Sequence, residues 1–503
     1  MKLFKLLFNR VIFVSLAIIL QIAVYVLLVM ELLNYWWFFV LSAIISTVIF
    51  LRVNVKNSNP AIKILWVCVI LLLPLLGFVL YVMLGESRWT KRQKKKMRRI
   101  LERQIEEFSP AQSLPEKYAG QIKFLKTTAK TCAYSSCRTK YFPTGEEYFA
   151  DLKEKLALAE KFIFMEFFII EQGEMWNAIL EILERKVAEG VEVRVMYDDI
   201  GCVMKLPSNY FKKLRKRGLK CLRFNKYLPF VTNLHNNRDH RKIVIIDGKV
   251  GYTGGINLAD EYINRAGNSF YWKDTAVRIE GNAVNELTEM FLQLWGITES
   301  VFEKRNYEFS SYAYSNPLHS EDGIVVPFGS GPSFFYDVPV AEEAFLNMIA
   351  NAQREIIITT PYLIIDYSLK RALSSAVARG VDVKVVIPDV PDKKIIYLMT
   401  KVNAEYLAGQ GVKIYRATGS FLHAKSILAD GEAAIVGTIN FDYRSLLHHF
   451  ENGVWMYNTC AVSGLKKDVD ELTSDENYFG DKLKVKGIAR LFASLLEIFT
   501  PLF

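Results

Sequence analysis

The chain is 503 residues long, which exceeds one compact domain and predicts about two to four folding units. Hydrophobic residues make up 51% of it, and 63 basic against 53 acidic residues give a formal charge of +10. This composition excludes a disordered or collagen-like chain. The apolar residues are densest in the first 85 positions, which disfavours a soluble enzyme made of one piece.

The N-terminal region is predicted to form transmembrane helices. Residues 11–30 carry no charge over 20 positions, and a helix of that length rises about 30 Å, the thickness of the hydrocarbon core of a bilayer. A second apolar stretch at 35–51 opens with three aromatic residues, as an interfacial belt does, and a third covers 62–84. We expect three spans, or two spans and an interfacial segment because the middle stretch is short.

A basic block follows the third apolar stretch. Residues 88–99 contain eight basic residues and no acidic residue. Such a block attracts anionic lipid headgroups, at about 1 kcal/mol per charge, and favours the cytoplasmic side for the chain that follows. Six basic residues precede position 64 and would lie on the opposite side if three helices span, so the topology stays open.

From about residue 121 the chain alternates strands and helices, and the same order occurs twice. In the first copy a strand (161–170) and an amphipathic helix (175–189) precede Gly190 and the strand VEVRVMYDD. In the second copy a strand (354–365) and a helix precede Gly380 and the strand VDVKVVIPD. A glycine just past a helix, followed by a β-branched run, is typical of a βαβ unit. The repeat predicts a duplicated α/β domain of two pseudo-symmetric halves with a cleft between them.

Each half carries one copy of the pattern HxKxxxxD, followed at the same offset by Gly-x-x-Asn. The residues are His240, Lys242, Asp247 and Asn257 in the first half, and His423, Lys425, Asp430 and Asn440 in the second. Residues two apart in a strand share a face, so each histidine projects with its lysine. Two halves placed face to face would bring both sets into one pocket.

These residue types suit chemistry at a phosphate group. Lysine and asparagine donors bind phosphate oxygens, and two imidazoles can act as nucleophile and general acid. Because no Cys/His set has metal-ligand spacing in the sequence, we predict a phosphoryl site without metal or cofactor. His235, His448 and His449 belong to no repeated motif and are predicted to be loop or surface groups.

The duplicated motif resembles the HKD motif of the phospholipase D superfamily, with Gly255 and Thr438 in place of the usual serine. Within that superfamily the chain is similar to bacterial cardiolipin synthases. The similar segments are NPAIKILWVCVILLLPLLGFVLYVMLGE, GGINLADEYINR, WKDTAVRIEG, TPYLI and NFDYRS. The resemblance implies a phosphatidyltransferase of phospholipid metabolism, with phosphatidylglycerol and cardiolipin as its lipids.

The resemblance also implies a reaction through a phosphohistidine. One phosphatidylglycerol would lose glycerol, and the hydroxyl of a second would then take the phosphatidyl group to give cardiolipin. In the superfamily the N-terminal motif usually supplies the nucleophile, which makes His240 the nucleophile and His423 the acid and later the base. Lys242, Lys425 and the two asparagines would hold the phosphate oxygens.

A nucleophilic imidazole also needs a partner that fixes its tautomer. Glu451 lies where the resemblance places that acid after the second motif, and Asp274 in WKDT is the candidate in the first half. Asp247 and Asp430 complete the catalytic motif. They are expected to brace the turn after the strand, because five residues beyond the lysine they face another direction.

We predict five parts along the chain: a membrane anchor (1–87), a basic juxtamembrane linker (88–120), the two phospholipase D-like halves (121–318 and 319–484) and a C-terminal amphipathic helix (485–503). The apolar face of that helix could pack on the protein or contact the membrane. The expected location is the bacterial plasma membrane, as a multi-pass protein with its catalytic domain on the cytoplasmic side.

Two alternatives stay open beside phosphatidyl transfer to a lipid. The first is a hydrolytic phospholipase D or another phosphatidyltransferase of the superfamily. A nuclease is disfavoured, because no basic platform interleaved with aromatic residues is visible for nucleic acid. The second is a lipid-binding scaffold without activity, which the two intact His–Lys pairs disfavour. The oligomeric state is not predicted.

Overall fold

The computed structural model describes residues 10–32, 34–56, 58–85, 94–95, 114–227, 236–300, 309–316, 318, 322–480 and 483–502. Most of the predicted basic block and His235 lie outside these residues.

The N-terminal segment folds into helices α1 (Arg10–Leu32), α2 (Trp36–Val55), α3 (Pro60–Leu72) and α4 (Pro74–Leu80), followed by a π-helical turn at Tyr81–Gly85. The Asn59 side chain caps α3 by accepting a hydrogen bond from the Ala61 amide at 3.0 Å. Pro74 is the first residue of α4, and α3 ends before it because proline cannot continue a helix. In the described part of the chain, no helix combines the length and apolar character needed to cross a membrane. The membrane spans therefore stay a prediction.

The first half contains strands β1 (Cys137–Phe142), β2 (Phe162–Phe167), β3 (Glu192–Asp198), β4 (Lys220–Phe224), β5 (Ile243–Ile246), β6 (Val250–Gly254), β7 (Tyr271–Lys273) and β8 (Ala276–Gly281). The second half contains β9 (Ile324–Ser330), β10 (Glu355–Thr359), β11 (Leu363–Ile364), β12 (Asp382–Pro388), β13 (Lys413–Ala417), β14 (Ser420–Leu422), β15 (Ser426–Ala429), β16 (Ala433–Gly437), β17 (Phe441–Asp442) and β18 (Glu451–Tyr457).

Each half builds a seven-stranded sheet with the same topology. The first sheet has the order β1-β8-β6-β5-β2-β3-β4, and the second, from the same end, has β9-β18-β16-β15-β10-β12-β13. In both sheets the last three strands are parallel and the others antiparallel. The predicted duplicated α/β domain is thereby confirmed. The predicted strand at 354–365 is divided into β10 and β11, and Pro361, which lacks a backbone donor, lies between them.

The helices of this part are α5 (Ala119–Ala129), α6 (Gly145–Ala157), α7 (Glu174–Ala188), α8 (Tyr210–Lys216), α9 (Val284–Ser300), α10 (Val340–Asn351), α11 (Tyr367–Ala378), α12 (Lys394–Gly409), α13 (Tyr443–Leu447), α14 (Cys460–Leu472) and α15 (Gly487–Glu497). Gly190 and Gly380 follow α7 and α11 with φ of 90° and 88°, the left-handed conformation that favours glycine.

The two halves interlock through helices and a shared core. Helix α14 packs on β1, where the Tyr141 hydroxyl donates to Asp468 Oδ2 at 2.6 Å. Helix α5 packs on the second half, where Gln121 Nε2 donates to the Ala344 carbonyl at 3.2 Å. One buried cluster contains apolar residues of both halves, including Phe291 of α9. The two halves therefore share one buried core.

Candidate active site

Two short pairings between the halves bring each histidine to the opposite half. Strand β14 runs parallel to β7 and the two end side by side, so the His423 amide donates to the Lys273 carbonyl at 2.7 Å. At the pseudo-symmetric position a bridge joins Asp239 to Phe450, and the His240 amide donates to the Phe450 carbonyl at 2.9 Å. Each histidine thereby lies beside an acidic residue of the other half.

His240 is paired with Glu451. Its Nδ1 lies 3.0 Å from both carboxylate oxygens of Glu451, and both side chains are buried. Burial lowers the pKa of His240 to about 3, although the Glu451 carboxylate opposes the shift. Burial also acts to raise the pKa of Glu451, but the contact with His240 holds it below its usual range. The pair is a neutral imidazole that donates from Nδ1 to an ionised carboxylate, which leaves a lone pair on Nε2.

His423 has a different environment. Its Nδ1 lies 2.6 Å from Asp274 Oδ2 and 2.8 Å from Lys425 Nζ. Burial, and then the charges of Lys425 and Lys242, lower the pKa of His423 well below its usual value. Burial raises the pKa of Asp274 to about 7, against the attraction of Lys425. Because an ammonium group can only donate, the contact with Lys425 favours the tautomer of His423 that carries its proton on Nε2.

Asp274 was predicted as the acid of the first half and Glu451 as that of the second. The structure places each of them beside the histidine of the other half.

The residue that follows the glycine of the Gly-x-x-Asn sequence lies beside the acid, and it differs between the two sites. The Thr438 hydroxyl donates to Glu451 and accepts from the Asn452 amide at 3.0 Å. Gly255 stands at the corresponding position, where a Cβ atom would lie 2.0 Å from Asp274 Oδ1. Asp274 therefore occupies the volume that a side chain at Gly255 would need.

Lys242 and Lys425 bring two buried amino groups to the pocket. Lys242 Nζ donates to the His240 carbonyl at 2.7 Å, and Lys425 Nζ donates to the His423 carbonyl. Burial lowers the pKa of Lys242 to about 7, with repulsion from Lys425 adding to it, and burial lowers the pKa of Lys425 to about 8. A bound anion would favour the charged form of both groups, so their placement suits a phosphate.

The two predicted asparagines are bonded differently. Asn257 donates to the Tyr262 hydroxyl at 2.6 Å and accepts from the Ile169 amide at 3.0 Å. Asn440 donates to Asp442 at 3.1 Å, and its Oδ1 has no hydrogen-bond partner among the residues that the structure describes. Asn257 is therefore held on both sides by the protein, whereas Asn440 keeps an unused polar atom in the interior.

Asp247 and Asp430 bind backbone rather than a histidine. Asp247 accepts from the amides of residues 160–162, and Asp430 accepts from those of residues 353–355. Lys117 adds a salt bridge of 2.5 Å to Asp430. These contacts brace the start of the neighbouring strand, and the place of the two aspartates in the catalytic set stays a prediction.

We expect Asp430→Ala to lower the free energy of unfolding by about 3 kcal/mol, because it leaves the backbone amides of residues 353–355 without their acceptor and removes one of the two carboxylates bound to Lys117. Urea unfolding followed by circular dichroism measures the change. Glu432→Ala is the matched control, since it removes the more exposed partner of Lys117, with 27% of its side chain accessible, and should cost less than about 1 kcal/mol. Equal losses in the two variants would contradict the bracing role.

His449 is a site residue that sequence reasoning missed. His449 lies in the loop between α13 and β18, as predicted, but it is not a surface group, because it is only 9% exposed and its ring lies 5.7 Å from that of His240. Its Nδ1 is 3.7 Å from Glu451 Oε1, and within the described ranges neither ring nitrogen has a hydrogen-bond partner. The available signal was that His449 lies two residues before Glu451, because this spacing places both side chains on one face of an extended chain. The adjacent His448 is half-buried.

His240, His449 and Glu451 together could hold a metal ion. Their candidate ligand atoms lie within 4.8 Å of one another, and all three residues are buried. The sequence does not predict this ligand set, because 211 positions separate His240 from Glu451 and only the fold joins them.

A second acidic pair, also missed, is buried next to the motif. Glu166 and Asp239 are fully buried, and burial raises the pKa of Glu166 well above its usual value and that of Asp239 to about 7. Arg241 is the cation that favours ionisation of both. We expect the pair to share a proton. A lone charge inside the apolar strand FIFMEFFII was the available signal.

Aromatic rings surround both histidines. The Phe168 ring lies 5.0 Å from the His240 ring, and the rings of Tyr262 and Trp272 lie 5.5 Å and 5.4 Å from that of His423. These apolar neighbours exclude water, which strengthens the electrostatic interactions inside the pocket.

The sequence is similar to proteins of known family. A family model described as "Cardiolipin synthase, PLD-like domain" matches residues 152–295 and 345–473, and one described as "Phospholipase_D-nuclease N-terminal" matches 37–86. An uncharacterized protein of Streptococcus mutans is 41% identical over 440 residues, which cover 85% of this chain and 92% of that protein. A cardiolipin synthase of Halalkalibacterium halodurans is 33% identical over 453 residues, which cover 86% and 88%.

The fold is also similar to that of a solved structure. The crystal structure of phosphatidylserine synthase from Haemophilus influenzae aligns with a TM-score of 0.59 at 13% identity, over 77% of this chain and 98% of that one. The likeness shows a common fold. The family match in both halves and the similarity over most of the chain settle the classification: the chain belongs to the family of cardiolipin synthases with phospholipase D-like domains.

Proposed function

We propose that the protein is a cardiolipin synthase, which transfers a phosphatidyl group from one phosphatidylglycerol to another and releases glycerol. The observation that carries this proposal is the pocket in which each motif histidine contacts an acid of the opposite half. Two buried lysines beside them suit the phosphate of the lipid. Membership of the family, with relatives named cardiolipin synthase, supports the same activity.

In the first step His240 is the nucleophile. Its Nε2 forms a bond to phosphorus while the bond from phosphorus to the glycerol oxygen breaks, which gives a phosphohistidine. The contact of Nδ1 with Glu451 supports this role, because it keeps the lone pair on Nε2. His423 gives its Nε2 proton to the leaving oxygen. Asp274, with a pKa of about 7, supplies a proton to Nδ1 in exchange.

The second step returns these protons. The hydroxyl of a second phosphatidylglycerol gives its proton to His423 Nε2 and attacks phosphorus, while the bond to His240 breaks and cardiolipin leaves. Asp274 takes back the proton from Nδ1 of His423. Lys242 and Lys425 stabilise the charge on the phosphate oxygens in both transition states, and we assign Asn257 and Asn440 to the same task. No step uses a metal or another cofactor.

The direct test uses purified full-length protein in detergent with phosphatidylglycerol labelled in its glycerol headgroup. We expect cardiolipin and free glycerol in equal amounts, and neither with His240→Ala. Phosphatidic acid without cardiolipin would instead indicate hydrolysis, and transfer to a different alcohol would indicate another phosphatidyltransferase. Lipid binding without turnover would contradict the enzyme assignment altogether.

We also propose that the protein resides in the bacterial plasma membrane, with its N-terminal helices in the bilayer, its catalytic halves on the cytoplasmic side and the five-part organisation predicted above. The uncharged run at 11–30 supports this, as do exposed apolar side chains such as Leu20, Trp36 and Leu72, at 65%, 78% and 79%. The protein should stay with membranes after a carbonate wash and leave them in detergent. Release by carbonate alone would contradict embedding.

We expect Gly255→Ser to lower turnover roughly 100-fold, since displacing a positioning group by about 1 Å can cost that much. The added Cβ would push Asp274 away from His423. Turnover of phosphatidylglycerol and the melting temperature are measured together. Thr438→Ser, which keeps the hydroxyl that donates to Glu451, is the control and should stay within a few-fold of the parent. An unchanged rate for Gly255→Ser would show that the position of Asp274 is unimportant.

A further inference from the structure

The histidine pocket contains one imidazole for which the proposed reaction has no use. His449 belongs to no motif, yet it is buried against the nucleophile pair, with Nδ1 3.7 Å from Glu451 Oε1. Both of its ring nitrogens are buried and without a hydrogen-bond partner in the described part of the chain. Leaving buried polar atoms unpaired costs stability, so such atoms are usually matched by a ligand, an ion or a water.

The surroundings of His449 have the chemistry of a zinc site. Ligand atoms of His240, His449 and Glu451 lie within 4.8 Å of one another, and His240 Nδ1 and Glu451 Oε1 are 3.0 Å apart. In a tetrahedral Zn²⁺ site, bonds of about 2.0–2.2 Å place neighbouring ligand atoms about 3.3–3.5 Å apart. Side-chain rotations that close the longer separations by about 1 Å would therefore complete three corners of a tetrahedron.

The types of ligand also favour a borderline transition metal. Two imidazoles and one carboxylate match the ligand types of three-ligand zinc sites, whereas Mg²⁺ and Ca²⁺ prefer oxygen ligands. The amino groups of Lys242 and Lys425 oppose a cation, which favours a reversible site over a permanent one.

We propose that His240, His449 and Glu451 form a Zn²⁺ site whose occupation blocks phosphatidyl transfer. Zinc forms bonds to Nδ1 of His240, to one ring nitrogen of His449 and to a carboxylate oxygen of Glu451. The Nδ1 proton of His240 is released and Nε2 takes up one proton from solvent, so the ring stays neutral and its Nε2 lone pair is no longer free. Glu451 then no longer orients His240, and the imidazole loses the electron density that an attack on phosphorus needs. Binding rests on the geometry alone, whereas inhibition rests on the proposed function.

The binding test is independent of activity. Chelator-treated full-length protein in detergent is titrated with ZnSO₄ by calorimetry, and with CoCl₂ by visible absorption, where a tetrahedral site gives intense bands. We expect one ion per chain, a higher melting temperature with Zn²⁺ and no effect of MgCl₂. His449→Asn and His449→Gln should weaken binding at least tenfold, and His448→Asn is the matched control at the adjacent histidine. Equal zinc affinity in the parent and both His449 variants, or no binding by the parent, would overturn the site.

The inhibition test uses the transfer assay. Zinc should inhibit the parent at the concentrations at which it binds, and EDTA should restore the rate. The zinc concentration for half-inhibition should rise at least tenfold in the His449 variants, each compared with its own rate without metal. Zinc that binds without inhibiting would overturn the regulatory part. A parent that binds zinc but forms no cardiolipin would contradict the proposed function and leave the metal site standing.

Discussion

His240→Ala is expected to abolish phosphatidyl transfer for every substrate, whereas His423→Ala should lose the first step of the transfer only when the leaving group needs a proton. With phosphatidylglycerol, removing the general acid should lower the rate about 10²–10⁴-fold. With phosphatidyl-p-nitrophenol, whose leaving group departs without protonation, His423→Ala should still form the phosphohistidine. It lacks the base for the second step, so p-nitrophenol should appear as a burst equal to the enzyme concentration.

Rapid-mixing absorbance measures the burst, and acid-labile ³²P on the denatured protein measures the adduct. His448→Ala, a neighbouring histidine outside the reacting pairs, is the control and should keep steady turnover. A burst with His240→Ala and none with His423→Ala would reverse the two roles. The same lack of adduct in both variants would argue against a separate acid.

Glu451→Gln should resemble the loss of His240, and Asp274→Asn should resemble the loss of His423. Glu451 lies 3.0 Å from Nδ1 of His240. The amide of glutamine is neutral, so the His240 ring loses its negatively charged partner. We expect adduct formation to fall on the order of 10³-fold. Asp274→Asn removes the carboxyl that exchanges a proton with His423, so the activated substrate should still give a burst.

This pattern tests the crossed pairing of the halves. If each acid served the histidine of its own half, Glu451→Gln would keep the burst and Asp274→Asn would lose it. The melting temperature of each variant shows whether it is misfolded. The pH profile of its activity shows whether the histidine has lost the acid with which it exchanges a proton. A uniform decrease of every step, with an unchanged pH profile, would show that both acids act only on stability.

Local sequence patterns determined the order of strands and helices in the halves and their duplication. Helix α7 lies within one residue of its predicted ends, and strand β2 begins one residue after its predicted start and ends three residues before its predicted end. Alternation and helical periodicity depend on near neighbours, so the sequence predicts such elements well. The pairing of each histidine with its lysine in one pocket also follows from the motif and the repeat. The division of 354–365 into two strands is a local exception at Pro361.

Only the tertiary structure decided which acid contacts which histidine. The contacts of His423 with Asp274 and of His240 with Glu451 join residues 149 and 211 positions apart. They depend on the β7–β14 pairing and the bridge from Asp239 to Phe450, which no periodicity of either strand predicts. The burial of His449 beside Glu451 has the same origin. Backbone pairing between the two halves places these side chains close enough to interact, and the spacing of residues in the sequence does not predict that pairing.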